Sequence, residues 1–210
     1  MPAKIASMPA SNDSPFSEIG EPALAVRDQR GGLVAVAGRG GDNIPAPVAV
    51  YDTSDLGCRF IVHSRFPVHA MAFHPAFPLL AVGTGRYDGG YFFEGELLLL
   101  HLETGESRSL IEHEIGRQVL GLEWHDETAL QVLMAPPEDW QDERARVEGH
   151  VAVVRRADWA AVPARSLTGR DLAGPRVPAM RPDGREAARH VLAEVSAAWR
   201  VQGADRLEDR

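Results

Sequence analysis

Short apolar runs recur in this chain in the same order and at nearly constant distance. From Leu33 to Leu79 is 46 residues, from Leu79 to Ala129 is 50, from Val68 to Val119 is 51 and from Leu98 to Val151 is 53. The runs are rich in Val, Leu, Ala and Phe. Clusters of Gly, Pro, Asp and Asn separate them, which is the pattern of many short strands joined by turns. A period of this length marks a chain built from repeated supersecondary units that bury their apolar faces by stacking on one another.

Each unit reads as four strands. The first ends in histidine and a turn residue: Val68-His69-Ala70-Met71-Ala72-Phe73-His74-Pro75, and Val119-Leu120-Gly121-Leu122-Glu123-Trp124-His125-Asp126. The second is short and apolar: Leu33 to Gly38, Leu79 to Gly83 and Ala129 to Leu133. A long loop leads to the third: Val48 to Asp52, Leu98 to Leu102 and Val151 to Arg155. After a turn such as Thr53-Ser54-Asp55-Leu56-Gly57 or Glu103-Thr104-Gly105 comes a more polar fourth strand, Arg59 to Ser64 and Arg108 to His113.

The pieces Ala72-Phe73-His74-Pro75, Ala81-Val82-Gly83, Val50-Tyr51-Asp52 and Leu102-Glu103-Thr104-Gly105 resemble a WD-repeat blade. The resemblance covers about residues 22 to 168. It implies an all-β fold of β-propeller-like blades, each of four antiparallel strands, with about three blades in the chain. Closed propellers have about 4–8 blades, so three make an incomplete ring. Its open faces require completion by self-association, by a partner protein, or by the chain's own C-terminal helix capping one of them. In a homodimer of six blades, both ends would join head to tail.

Residues 1–20 are rich in Ser, Pro, Ala and Asn and read as a flexible leader. Residues 169–210 read as a linker and a C-terminal amphipathic helix, with Pro163 to Pro182 holding at most one closing strand. Asp183 supplies a cap and Glu186 the capping-box spacing. Ala188, Val191, Leu192, Val195 and Trp199 fall on one face, and Gly203 offers an end. Packed on its own domain, this face is core; otherwise Val191, Leu192, Val195 and Trp199 form an anchor for another chain.

The formal net charge of −8 argues against nucleic acid or an anionic membrane as partner, since both need clustered Lys and Arg. The acidic excess lies in residues 1–150, whereas 151–210 are slightly basic. The single cysteine, Cys58, allows no intrachain disulfide and suits a reducing, cytoplasmic compartment. It sits in a strand-like run and reads as a small core residue. Leu97 to Leu100, the longest strongly apolar run, is too short to cross a bilayer.

Three long insertions, Arg39 to Pro47, Thr84 to Gly95 and Ala135 to Gly149, all join the second strand of a unit to the third. In WD-repeat proteins these loops share a face with the loops between blades, and insertions gathered on one face mark a binding face. Arginine and aromatics are enriched in interface hot spots. The candidate partner-binding residues are therefore Arg39, Asp42, Arg86, Tyr87, Asp88, Tyr91, Trp140 and Arg144.

No P-loop, dinucleotide fingerprint, Gly-x-Ser-x-Gly elbow or compact His/Cys metal spacing occurs. No catalytic residue, metal or cofactor is assigned. The expectation is a non-catalytic protein–protein interaction scaffold, a subunit of a larger complex. A propeller-type hydrolase or lactonase with a metal in a central channel, and a lectin-like carbohydrate binder, are the alternatives.

Overall fold

The computed structural model describes residues 15–28, 30, 32–40, 44–87, 93–114, 117–136, 144, 147–179 and 183–208; of Tyr87 and 202–208 it describes the backbone alone. The fold is mostly β: three four-stranded antiparallel sheets and one C-terminal helix. The first sheet runs β1 (Pro22–Arg27), β2 (Leu33–Gly38), β3 (Ala46–Asp52), β4 (Cys58–Ser64) in spatial as in chain order. The second holds β5 (Val68–Phe73), β6 (Leu79–Thr84), β9 (Leu97–His101) and β10 (Ser107–Ser109). Its long loop carries a two-stranded ribbon, β7 (Arg86–Tyr87) with β8 (Phe93–Glu94). The third holds β11 (Val119–Trp124), β12 (Ala129–Met134), β13 (Glu148–Arg155) and β14 (Arg176–Pro178), the closing strand of the 163–182 stretch.

The sequence repeat is a repeat of backbone hydrogen bonds. At the first hairpin of each sheet one N–H donates across the turn: Asp28 to Leu33 (2.9 Å), His74 to Leu79 (2.9 Å) and His125 to Ala129 (3.0 Å). Just past each second strand, Arg39, Gly85 and Ala135 donate to Glu21, Pro67 and Gln118, the residues that lead into each first strand. In the β3–β4 and β9–β10 turns, Leu56 (φ 56°) and Gly105 (φ 73°) occupy the same left-handed position. Their N–H groups donate to Asp52 and His101 at 2.9 and 2.8 Å.

The sheets stack through their side chains, and the first strands β1, β5 and β11 lie side by side, with β5 between the other two. Leu33, Ala35, Val48 and Val50 of the first sheet meet Met71, Leu80, Val82, Leu98 and Leu100 of the second. The second sheet's other face, Leu79, Ala81, Leu97 and Leu99, meets Val119, Leu130, Val132, Met134 and Val154 of the third. The continuous run Leu97 to Leu100 thus has a physical reason: β9 is covered on both faces, so it has no polar side.

Residues 156–175 leave β13, cross to the second sheet and return as β14. On the way Ile111 bridges in parallel to Leu167, and Leu167 exchanges backbone hydrogen bonds with Leu110 and Glu112 at 2.9 Å. This strap buries Trp159, whose indole N–H donates to the Thr128 carbonyl (3.0 Å) and whose ring meets Trp124 edge-on at 5.0 Å. Arg156 and Thr168 clamp Asp171, whose carboxyl falls to about 2 under the guanidinium and the threonine hydrogen bonds.

The helix α1 (Arg185–Glu208) lies on the far face of the first sheet. The Asp183 carboxylate accepts the Arg185 N–H at 3.1 Å, and Ala188 N–H donates to Gly184 (2.8 Å), which starts the helix. Ala188, Leu192 and Val195 bury against Ala25, Val34, Val36, Ala49 and Tyr51. Ile19 and Phe16 join this cluster; Phe16 meets Tyr51 edge-on at 4.9 Å. Helical backbone continues through Gly203, which does not end it. One glycine costs a helix only about 1 kcal/mol, and the residues on either side are good helix formers.

Candidate interaction site

All three insertions leave the same end of the stack. They depart from Gly38, Thr84 and Met134 and return at Ala46, Leu97 and Glu148. Close backbone approaches bring these ends together. A Cβ on Gly85 would lie 2.3 Å from Gln118 Cγ, and one on Gly95 would lie 2.2 Å from the Thr84 carbonyl. Glycine there lets the second sheet's loop pass against the strand leading into the third. Between the first and second sheets, Ser64 Oγ donates to the Phe66 carbonyl at 2.6 Å.

Phe66 is buried, and two guanidinium groups lie over its ring, Arg65 at 5.3 Å and Arg86 at 5.4 Å. Such cation–ring contacts are worth about 0.5–2 kcal/mol and fix the cations in place. Arg86 Nε donates to Glu94 Oε2 across the β7–β8 ribbon at 3.0 Å. Arg65 pairs with Glu114 at 3.3 Å, which helps hold that carboxyl below its ordinary range, after its own backbone hydrogen bond. Glu96 lies behind them. Burial pushes its carboxyl up, Arg65 and Arg165 pull it back, and Glu114 adds to the rise. The His69 imidazole Nε2 lies 2.8 Å from the Gly85 carbonyl and 3.1 Å from the Gln118 amide nitrogen, in the seam between the second and third sheets.

At the same end Ile44 is 67% exposed and Val147 is 61% exposed, one in the first insertion and one in the third. The end therefore carries exposed apolar side chains in two of its insertions, and an arginine pair over a buried ring, with balancing carboxylates, between the first and second sheets. Among the described residues, Arg65, Arg86, Glu94, Glu114 and His69 are engaged in hydrogen bonds or ion pairs. Among the described residues no group of three His, Cys, Asp or Glu side chains is placed to hold a metal.

Of the residues expected to bind a partner, Arg39 is exposed and reaches Glu21 at 3.5 Å. Arg86 is held by Glu94 and Phe66 as above. Arg144 is exposed, and its carbonyl accepts the Val147 N–H at 3.0 Å. Asp42, Asp88, Tyr91 and Trp140 lie outside the described residues, as does the Tyr87 side chain. Among the helix residues, Leu192 and Val195 are spent on the first sheet, Val191 is half-buried, and Trp199 is 37% exposed.

Arg65, Phe66, Glu114 and Gln118 escape a reading of the insertions alone, because they lie in the connections between sheets. Phe66 carried a signal, an aromatic between Arg65 and Pro67 where polar turn residues are the rule. Glu21 is a second omission: Arg39, Arg185 and Arg189 all reach it, at 3.5, 3.8 and 3.3 Å, tying the first insertion to the start of α1.

Cys58 is half-buried beside the helix-side cluster. Burial and the nearby Glu18 push its thiol up to about 11, so it is not a thiolate at neutral pH. No helix among the described residues is long and apolar enough to cross a membrane. No protein-family model matches the chain, and no curated protein is significantly similar to it.

Proposed function

We propose that this chain is an arc of three WD-repeat-like propeller blades that serves as a non-catalytic protein-interaction scaffold in the cytoplasm, with its loop-bearing end taking the partner. The observation that carries this reading is the departure of all three insertions from one end, which carries the exposed Ile44 and Val147 and the arginines Arg39, Arg65 and Arg86. Exposed apolar groups and arginines on one end of the molecule are the composition of a binding hot spot. The rigid sheets beneath hold them in fixed relation, and the acidic body favours a partner with a basic rim.

The test is affinity purification of the tagged chain with quantitative mass spectrometry. The paired substitution Ile44→Asp and Val147→Asp is expected to lower recovery of a stoichiometric partner at least tenfold while leaving the melting temperature unchanged, since both side chains are exposed. Equal recovery with the variant, or no stoichiometric partner at all, contradicts the reading.

A further inference from the structure

The strap 156–175 crosses the outer edge of β10, and one of its ties passes through a histidine. His101 closes β9, whose other end, Leu97, receives the second insertion, so this tie sits at the end of the stack opposite the insertions. Half-buried Arg108 of β10 forks between two acceptors there. Its Nη1 donates to the Val162 carbonyl of the strap at 2.9 Å, and its Nη2 lies 2.6 Å from His101 Nε2. A guanidinium has donors only, so His101 Nε2 offers a lone pair and the ring's proton sits on Nδ1. The closed strap thus uses an unprotonated Nε2 to aim Arg108.

We propose that the strap is a pH-responsive latch. A proton on His101 Nε2 turns the acceptor of Arg108 into a donor of like charge. The guanidinium then leaves both the ring and the Val162 carbonyl, and the strap lifts from β10. The charges that act on His101 are Arg108 and, in the β9–β10 turn, Glu106 and Glu103. Burial and then Arg108 hold its imidazole below the ordinary 6.5, and the two carboxylates pull it back. Its register partner on β6 is Leu79, which carries no charge.

The strap's other ties do not release with the same proton. Arg156 and Asp171 close its base, and a carboxyl held at about 2 stays charged at pH 5.5. The Gly174 carbonyl only accepts, so His150 Nδ1 at 3.1 Å carries a proton in either ionisation state of its ring. His113 lies 3.6 Å from Glu112, whose carboxylate accepts the Gly169 N–H at 3.0 Å, so a proton on His113 adds attraction there. Among the described hydrogen bonds of the strap, the one through Arg108 alone depends on a bare imidazole nitrogen.

Strain favours the open form. Arg165 holds a φ of 57°, a left-handed conformation that costs an L residue free energy. The Arg165 N–H donates to the Ser109 carbonyl and the Leu167 N–H to the Leu110 carbonyl, both at 2.9 Å. These bonds break and the strain relaxes together when this stretch leaves the sheet edge.

Amide hydrogen exchange read by mass spectrometry on the full chain, corrected for the intrinsic rate at each pH, tests the latch. Protection across residues 163–168 should lie at least tenfold below that of β2, which marks a local opening. Between pH 7.5 and 5.5 it should fall at least threefold; one proton with an open-state value near 6.5 sets a ceiling of about tenfold. In His101→Gln the amide oxygen still accepts from Arg108 without titrating. This variant should keep the protection at pH 7.5 to within a few-fold and show a fall of less than twofold. Arg108→Met should lower protection already at pH 7.5 and likewise lose the fall, and it carries the test if circular dichroism shows His101→Gln unfolded.

Protection equal to that of β2, no fall in acid, or an undiminished fall in either variant would overturn the inference. It does not rest on the partner reading. The paired Ile44 and Val147 variant, altered at the other end, should show the wild-type fall, so the two accounts fail separately.

Discussion

His74 illustrates how a single side chain fixes a turn and a pH dependence together. Its Nδ1 accepts the backbone N–H groups of Ala76 (3.0 Å) and Phe77 (2.9 Å), and its Nε2–H donates to the Glu127 carbonyl at 2.9 Å. That arrangement requires the neutral ring, and burial holds the imidazole below its ordinary value of 6.5. The unfolded chain therefore binds a proton that the native state refuses. The contribution is complete above about pH 6.5 and is lost progressively as pH falls below it toward the lower native value. Urea midpoints should drop between pH 7.5 and 5.5, and the drop should shrink in His74→Gln; equal pH dependence in the two proteins would contradict the assignment.

Gly105 makes a second prediction at this scale. Its φ of 73° and a Cβ position 2.6 Å from Phe60 Cδ1 both oppose a side chain. Gly105→Ala should cost about 1–3 kcal/mol, read as a lower urea midpoint at unchanged slope.

At the scale of elements, sequence texture tells how many faces of a strand are covered. Strand β2 and the Leu97–Leu100 run of β9 are apolar throughout because each has a layer on both sides. Strands β12 and β13 place Gln131, Val153 and Arg155 on a face that no layer covers among the described residues, and their alternation is visible in the sequence. Helix α1 was equally legible, since Ala188, Leu192 and Val195 keep helical spacing. Which surface it would cover was not, because spacing gives a face but no address. The address follows from the small residues Ala25 and Ala49 of the first sheet, which leave room for a helix, together with Glu21 gathering Arg185 and Arg189.

The strap 156–175 was the least legible element. Its path depends on Trp159 and Leu167 filling the seam between two sheets, a contact across the chain that leaves no period. Leu192→Ala should cost about 2–3 kcal/mol and Trp159→Ala about 3–5 kcal/mol, while Ala193→Ser on the exposed side of α1 should change stability by less than about 0.5 kcal/mol. Chemical denaturation of the three variants checks the ranking. Equal effects at 192 and 193 would place the helix off the sheet.

At the scale of the whole molecule, the layers run helix, first sheet, second sheet, third sheet. The sequence pattern carries the three repeats but is silent on which terminal face is closed. Some residues of the loop-bearing end were legible as insertions. Arg65 and Phe66 were not, because they act only where two sheets meet.

The layer order makes two buried-looking valines behave differently. Val36 lies beneath α1 and Val153 lies on the far face of the third sheet. The decisive measurement is maleimide labelling of Val36→Cys and Val153→Cys, each in a Cys58→Ser background and at submicromolar protein. The cysteine at 153 should react at nearly the rate of a free thiol, and the one at 36 should be protected by orders of magnitude until the chain is unfolded. Comparable rates at the two positions would contradict a stack closed at one end by its own helix.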